Sequence, residues 1–213
     1  MKTLNVIFIL LCLGTIQSSL AANPTPYQGP DFTATQKSLE EGNETSEGKV
    51  YFSKTGNRTE FGDTIAGADF IESKCWFAST RQKIYVEGNI DKKTGDCDVD
   101  LSMGASQGEV TVGGLMSSQA CEGFSVKKKL GSNKQAGRTI EKWGCRNSHS
   151  GEAIHWYDAK LKLVVREETR YSKDELINIK LKKLNTSLFS SPKGYKRVNK
   201  NQFLQALMSG AMR

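Results

Sequence analysis

The sequence predicts a mainly β fold with some α-helix: a curved antiparallel sheet that forms a half-barrel, covered by short helices and followed by a C-terminal helix. Many short segments alternate apolar and polar residues with a period of two, which is typical of strands that bury one face. Turn-forming stretches separate these segments. The sequence lacks the strand–helix–strand alternation that would indicate a parallel sheet. A sheet of nine or ten strands leaves one face to cover, and an open half-barrel needs helices or a ligand to cover it.

Residues 1–21 predict a signal peptide. A positive start precedes an apolar run of about eight residues, which is too short to span a bilayer, and small residues then mark a cleavage site. We expect cleavage after Ala21, with Ala22 as the alternative, and a periplasmic or secreted mature chain without a transmembrane segment. A membrane anchor is the less favoured alternative, and Cys12 lacks the preceding small residue of a lipid-attachment site.

The rest of the chain divides into three parts. Residues 22–30 contain three of the four prolines and are interpreted as a linker. Residues 31–198 predict a single domain, long enough to bury a core, and residues 199–213 a C-terminal amphipathic helix. The formal net charge of +7 favours contact with anionic lipid heads, wall polymers or acidic partners, since an exported protein rarely meets nucleic acid.

Four cysteines follow the signal peptide: Cys75, Cys97, Cys121 and Cys145. An even number in an oxidising compartment indicates two disulfides. Three pairings are possible, and the order along the chain favours Cys75–Cys97 and Cys121–Cys145. Each would close a loop of about twenty residues, the span of a β-hairpin, and stabilise the fold by about 3 kcal/mol. Zinc is the alternative, which the absence of any C-x-x-C pair disfavours.

The first half of the domain offers strands separated by turns. The strand candidates are residues 31–37, 49–53, 58–61, 68–78 and 83–87, with turns at "EEGNETSEG", "KTGN" and "STRQ". The segment "CDVDLSM" alternates acidic and apolar positions, and residues 107–119 are interpreted as a Gly- and Ser-rich connection. Together these segments imply a meander.

The second half shows the clearest alternation. Strands are predicted at 124–129 and 138–145, around the loop "GSNKQAG", and at 153–157. Two further strands place one apolar face toward the interior, formed by Leu161, Leu163, Val165, Ile177, Ile179 and Leu181. Asn199 is positioned to cap a helix, with Gln202 at its third position. The apolar stripe of that helix would be Phe203, Leu204, Leu207 and Met208.

Several segments together resemble one bacterial family. They are "GNRTE" from residue 56, Trp76 with the following "QKIYVE", "WYDAKLKLVVREE", "ELINIK" and "LFSSPKGYKRV". The chain resembles, over residues 31–198, an exported domain family of unknown function in the lipoprotein-carrier superfamily of LolA and LolB. The residues that carry the family signature are Arg58, Glu60, Trp76, Tyr85, Phe189, Pro192, Gly194 and Tyr195.

The resemblance implies a half-barrel whose concave apolar sheet face binds a lipid, a lipoprotein or another amphipathic ligand. The ligand would contact the six apolar residues of the last two predicted strands. The alternative is a structural or partner-binding envelope protein with the same fold and no small-molecule ligand. We expect the closing stretch "LFSSPKGYKRV" to return the chain to the sheet, with a turn set by its Pro and Gly.

The sequence offers little that indicates catalysis. Neither His149 nor His155 has the spacing of a metal site or of a nucleophile–base pair, so we expect no enzyme activity, metal or cofactor. The segment "DCDVD" resembles the start of a calcium loop, but Leu101 stands where that loop needs Gly. The basic runs at 127–129 and 180–183 lack the interleaved aromatics of a single-strand-binding surface, so we expect no nucleic acid.

Overall fold

The computed structural model describes residues 27–40, 43–91, 97–99, 115–147 and 151–211. In these residues twelve strands form a single sheet. The strands are β1 Phe32–Glu40, β2 Asn43–Ser53, β3 Gly56–Phe61, β4 Thr64–Asp69, β5 Lys74–Ser79, β6 Ile84–Asn89, β7 Val126–Gln135, β8 Arg138–Asn147, β9 Gly151–Asp158, β10 Leu163–Glu168, β11 Ser172–Leu181 and β12 Lys196–Arg197. The predicted signal peptide and His149 lie outside the described residues, as do most of "CDVDLSM" and of the Gly- and Ser-rich connection.

The strand order is β12-β6-β5-β4-β3-β2-β1-β11-β10-β9-β8-β7. Strand β1 therefore lies inside the sheet, with the meander β2 to β6 on one side and the returning strands β11 to β7 on the other. All pairs are antiparallel except β12 with β6, which is parallel. Register shifts mark bulges in the pairings of β1 with β2, β1 with β11, β7 with β8 and β9 with β10, and bulges bend a sheet. The predicted antiparallel sheet with a C-terminal helix is confirmed.

Two strands occupy the segment 68–78, which the sequence predicts as one. Strand β4 ends at Asp69 and β5 begins at Lys74. The Asp69 carboxylate accepts hydrogen bonds from the main-chain N–H groups of Ile71 and Glu72, at 3.0 and 3.1 Å. An aspartate that accepts from the following amides favours a turn over a continuous strand. The apolar residues around this turn conceal it in the sequence.

Strands also extend into two predicted loops. Strand β2 begins at Asn43, inside "EEGNETSEG", and β7 runs to Gln135, inside "GSNKQAG". Only Ala136 and Gly137 remain as the β7–β8 turn, with φ values of +48° and +73°. Two positive φ angles in a two-residue loop define the turn type whose twist matches that of paired strands. The hairpin is therefore longer than its composition predicts.

The main core lies where the middle of the sheet meets the chain that covers it. Tyr27 packs edge-on against Phe32 and Phe52, with ring centroids 6.0 and 5.7 Å away. Phe32 and Phe52 stack on each other at 5.4 Å. The described end of the predicted linker thus enters the core. Other buried members of this cluster are Ala34, Val50, Met116, Ile140, Leu161, Leu163, Val165 and Leu176.

The chain ends with helix α1, Lys200–Ala211. The Asn199 side chain accepts from the N–H of Gln202 at 2.9 Å, and the Gln202 side chain accepts from the N–H of Asn199 at 3.1 Å. This reciprocal pair confirms the predicted capping box. Of the predicted stripe, Phe203 is fully buried, whereas Met208 is 46% exposed. Among the described residues, no helix has the length and apolar character needed to cross a membrane.

Candidate functional site

Three of the six residues predicted to line a ligand face lie in the core. Leu161, Leu163 and Val165 are 0%, 2% and 7% exposed and pack within the main cluster. Ile179 packs partly buried against the same cluster, and Leu181 is 41% exposed. Ile177 is half-buried on β11. The three buried side chains contribute about 1.5–3 kcal/mol each, and they pack against other side chains of the core.

The family-signature residues converge on one face of β3 to β5. The Arg58 guanidinium forms an ion pair with Glu60 at 2.7 Å and lies 5.7 Å from the Trp76 ring centroid. The Trp76 indole N–H donates to the carbonyl oxygen of Phe189 at 2.7 Å, and Phe189 is fully buried. A side chain at Gly56 would clash with Phe189, since its Cβ would lie 2.6 Å from the Phe189 Cβ. The signature thus fixes the closing segment to the sheet.

The rest of the closing stretch returns the chain to the sheet edge. Pro192 is half-buried, and Gly194 adopts a φ of +80°, which favours glycine. Tyr195 packs with Tyr85 against the small cluster that contains Trp76. The Lys83 ammonium lies 4.9 Å from the Tyr195 ring centroid, in cation–π range. The predicted turn and the return of the chain to the sheet are present. The contacts of both join parts of the protein to one another.

Both disulfides have the pairing that chain order favours, Cys75–Cys97 and Cys121–Cys145. Two disulfides are typical of a periplasmic or secreted protein. The second bridge fastens residues 115–125, here called the covering segment, to β8. The Met116 N–H also donates to the carbonyl of Val164 at 2.8 Å, which fixes the start of this segment to β10.

A polar row crosses the sheet beneath the covering segment. It consists of directly opposed residues on β1, β11, β10 and β9, which therefore share one face: Ser38, Asp174, Glu167 and His155. His155 is fully buried. The Glu167 carboxylate lies 3.5 Å from His155 Nε2 and accepts the Leu115 N–H at 3.0 Å. The row thus places two partly buried carboxylates beside a buried imidazole.

The imidazole of His155 has one hydrogen-bonded nitrogen and one unpartnered nitrogen. Nδ1 accepts the main-chain N–H of Cys121 at 3.0 Å, so Nδ1 carries no proton. The buried Nε2 has no hydrogen-bond partner among the described residues. Phe124 packs edge-on against the ring with centroids 5.6 Å apart. His155 is therefore held in one orientation between Cys121 and Glu167.

Burial raises the pKa of Asp174 above its ordinary value. A hydrogen bond from the Ser38 hydroxyl opposes this shift, and the nearby carboxylates of Glu167 and Glu40 increase it. The charge of a neighbouring carboxylate makes ionisation of Asp174 less favourable. Asp174 therefore holds its proton more tightly than an isolated aspartate does.

Strands β7 and β8 form a basic hairpin at the end of the sheet. All ten residues of β7 are exposed, and four of them are lysines: Lys127, Lys128, Lys129 and Lys134. Within the part of the chain that the structure describes, β7 pairs only with β8. Val126 and Leu130, also on β7, are 54% and 48% exposed. The hairpin thus presents a long, cationic and partly apolar edge.

An open cavity of about 430 Å³ lies between β6, β12 and the first turn of α1. Three valines, Val86, Val99 and Val198, line it together with the cations Arg197 and Lys200. Arg197 also forms an ion pair with Glu87 at 3.4 Å. The cavity combines apolar walls with positive charge.

No protein-family model and no curated protein sequence matches the chain. Several solved structures have a similar sheet. An uncharacterized conserved protein from Thermus thermophilus matches with a TM-score of 0.49 and 12% identity, over 89% of this chain and 98% of that chain. PNGF-II matches with a TM-score of 0.46 and 10% identity, over 85% of this chain, which spans only 33% of PNGF-II.

A LolA superfamily protein from Nitrosomonas europaea matches with a TM-score of 0.32 and 9% identity, over 82% of this chain and 97% of that chain. One of these structural neighbours thus comes from the superfamily that the closing signature resembles. All these TM-scores lie below 0.5.

The sequence predicts no metal site and no nucleophile–base pair at His155, because its partners are distant in the chain. Its partners Cys121 and Glu167 lie 34 residues before it and 12 residues after it in the chain. The alternation of β9 and β10 could place His155 and Glu167 on one face, but their opposition depends on the register of that pair. The contact with Cys121 depends on how the covering segment crosses the sheet.

Proposed function

We propose that the chain is an exported, non-catalytic envelope protein that binds another protein through the basic hairpin. The exposed edge of β7 carries this proposal. An edge strand leaves main-chain N–H and C=O groups without partners in the sheet, and an added extended segment satisfies them. The four lysines of β7, which contains no acidic residue, favour a segment rich in Asp and Glu.

Lysines on an edge strand also prevent edge-to-edge aggregation of sheets, and this protective role alone would account for the positive charge of β7. Two features favour docking. Protected edges are commonly short, whereas β7 has ten residues. Val126 and Leu130 are exposed on the same strand, where an added strand would bury them. Burial of apolar side chains stabilises such a complex, while the lysines select its charge.

Other features support an exported protein without catalysis. The predicted signal peptide and the two disulfides both favour an oxidising compartment. The side chains best suited to acid–base or nucleophilic chemistry are unsuited here to meet a substrate. His155 is fully buried, and Cys121 and Cys145 are bridged. The predicted ligand residues of β10 are likewise packed in the core rather than open to a lipid.

Charge reversal on the hairpin tests the proposal. The combined variant Lys127→Glu, Lys128→Glu and Lys134→Glu reverses three exposed charges of β7. The control variant Lys180→Glu, Lys182→Glu and Lys183→Glu changes the net charge equally at exposed positions of the other basic run. Each mature protein is immobilised and exposed to delipidated envelope extract, and the retained proteins are quantified by mass spectrometry.

We expect the wild type and the control to retain the same partner, and the hairpin variant to retain at least about tenfold less. The retained protein should contain an acidic extended segment. Equal retention by both variants would contradict the proposal. An equal loss would mean that binding follows net charge, and no loss in either variant would mean that the lysines of the hairpin are not needed for binding.

A second candidate function is the binding of a lipid, a lipoprotein or another amphipathic ligand. The cavity beside α1 favours it, since an anionic head would meet Arg197 and Lys200 while an acyl chain meets the valines. Native mass spectrometry of the periplasmically expressed protein, with solvent extraction, would detect a bound ligand. Val198→Asp should abolish its retention, and a wild-type protein that remains empty after incubation with envelope lipids would exclude this function.

A further inference from the structure

Two cysteines and a histidine meet beneath the covering segment. One possible ligand atom from each of Cys121, Cys145 and His155 lies within 4.8 Å of the other two. The three residues come from the covering segment, β8 and β9, and they are 0%, 3% and 0% exposed. Two sulfurs and an imidazole form a donor set that suits zinc and related thiophilic cations.

The orientation of His155 is a second, independent observation. Nδ1 carries no proton and faces Cys121, whose N–H it accepts. Within the described part of the chain, the fully buried Nε2 has no hydrogen-bond partner, yet it lies 3.5 Å from the Glu167 carboxylate. Histidines that bind a metal through one nitrogen commonly direct the other N–H toward a carboxylate. A metal on Nδ1 would take the place of the Cys121 N–H there, and Nε2–H would stay directed toward the Glu167 carboxylate.

We propose that reduction of the Cys121–Cys145 disulfide creates a zinc site formed by Cys121, Cys145 and His155, with Glu167 as the carboxylate that orients the histidine. In the oxidised protein the two sulfurs bond to each other and cannot serve as thiolate ligands. The site and the disulfide are therefore alternative states of the same residues. The protein then acts as a thiol-dependent zinc-binding switch, in addition to its proposed partner binding.

The switch consists of reduction of the disulfide followed by zinc binding. Two equivalents of a thiol reduce the disulfide, giving two protein thiols and one molecule of the reductant's own disulfide. Zinc then replaces the two thiol protons, which are released to solvent, and His155 supplies a neutral nitrogen. A small-molecule disulfide reverses the sequence. It oxidises the two thiolates to the protein disulfide, releases Zn²⁺ and becomes two thiols after taking up two protons.

The second disulfide provides a matched control. Cys75 and Cys97 also lie near a possible oxygen ligand, Asp98, but Cys97 is half-buried, Asp98 is exposed, and no histidine among the described residues joins them. The variant Cys75→Ser/Cys97→Ser retains only the proposed site. The reciprocal variant Cys121→Ser/Cys145→Ser retains only the control pair. Both variants contain two cysteines, so a difference in zinc binding reports the surroundings of those cysteines.

The experiment measures zinc binding to the reduced mature protein under anaerobic conditions. Each variant is reduced with a phosphine, freed of reductant and titrated with Zn²⁺ against a chromophoric chelator. Co²⁺ serves as a second probe, because thiolate coordination gives a charge-transfer absorption band. Circular dichroism and thermal unfolding with and without Zn²⁺ show whether the reduced protein is folded and whether the metal stabilises it.

We expect one equivalent of Zn²⁺ to bind Cys75→Ser/Cys97→Ser after reduction, and none before it. His155→Gln and Glu167→Gln in that background should each weaken binding by at least about tenfold. The reciprocal variant should bind at least about a hundredfold more weakly. Absence of stoichiometric binding would overturn the proposal. So would binding that His155→Gln leaves unchanged, or a reduced protein that stays unfolded when Zn²⁺ is added.

Discussion

Trp76 and Phe189 lie 113 positions apart in the chain, and the indole N–H of Trp76 donates a 2.7 Å hydrogen bond to the carbonyl oxygen of Phe189. Trp76 is 1% exposed and Phe189 is fully buried. The bond joins the closing segment to β5. Because water does not reach this carbonyl, loss of the indole donor leaves it without a partner.

We therefore expect Trp76→Phe to lower the free energy of unfolding by about 1–3 kcal/mol, the cost of an unpaired buried polar group. Urea unfolding measures this loss. Trp143→Phe is the control, because the indole of Trp143 donates to Glu141 at 3.1 Å in a partly exposed position, where water can replace it. A loss of equal size in both variants would show that ring volume, rather than the buried bond, sets the cost.

Asp158 stabilises the β9–β10 turn and neutralises Arg138. Its fully buried carboxylate accepts from Arg138 at 2.7 Å and from the main-chain N–H groups of Lys160 and Leu161 at 2.9 and 3.0 Å. We expect Asp158→Ala to cost about 3–5 kcal/mol of unfolding free energy, since it leaves a largely buried charge unpaired. Glu152→Gln should cost less than about 1 kcal/mol, because the Glu152–Arg146 pair is exposed. Thermal and urea unfolding should agree, and a small loss in Asp158→Ala would contradict this role.

Asp174 should make stability depend on pH. Burial raises its pKa in the folded state, so the folded chain binds this proton more tightly than the unfolded chain. The resulting stabilisation is present below the unfolded pKa of about 3.9 and is lost as pH rises through the folded value. Asp174→Asn, which cannot ionise, should therefore gain stability relative to the wild type as pH rises through that window.

The unfolding free energy of both proteins between about pH 3 and pH 8 checks this sign. Glu141 offers the opposite case, because a hydrogen bond from Lys129 lowers its pKa. Glu141→Gln should lose stability relative to the wild type above the unfolded Glu pKa, and this loss should vanish as pH falls. A stability difference between Asp174→Asn and the wild type that does not change with pH would contradict the raised pKa of Asp174.

Ala136 occupies a turn position that favours Asn or Gly. Its φ of +48° costs an alanine more than an asparagine. We expect Ala136→Asn to raise the free energy of unfolding by about 0.5–1 kcal/mol. Ala206→Asn in α1 should instead lower it by about 0.5 kcal/mol, since asparagine is the weaker helix former. Urea unfolding measures both changes. A loss of stability in Ala136→Asn would show that the positive φ of Ala136 does not lower the stability of the hairpin.

Local patterns predicted those features that depend on nearby residues. The Asn199–Gln202 capping pair and the disulfide pairing both follow from spacing along the chain, and both are present. Period-two alternation predicted the antiparallel sheet, because it depends only on which face of each strand is buried. The turn at Asp69 was missed because apolar residues on both sides continue the pattern of a strand.

The polar row could not be predicted from the sequence, because it depends on strand order and on the register of the strand pairs. Glu167 and His155 become neighbours through the pairing of β9 with β10, and Asp174 joins them through β11. The exposed edge of β7 likewise follows from the position of that strand at the end of the sheet. A lysine-rich segment has the same composition whether it forms an outer edge or a solvated loop.

Site-specific photo-crosslinking in intact cells tests the proposed partner binding most directly. A photoreactive residue replaces Lys128 on β7, or Lys182 after β11 as the control. We predict a discrete protein adduct at Lys128, with the crosslink mapped by mass spectrometry to an acidic segment of the partner, and no such adduct at Lys182. No adduct at Lys128, or the same adducts at both positions, would contradict binding through the basic hairpin.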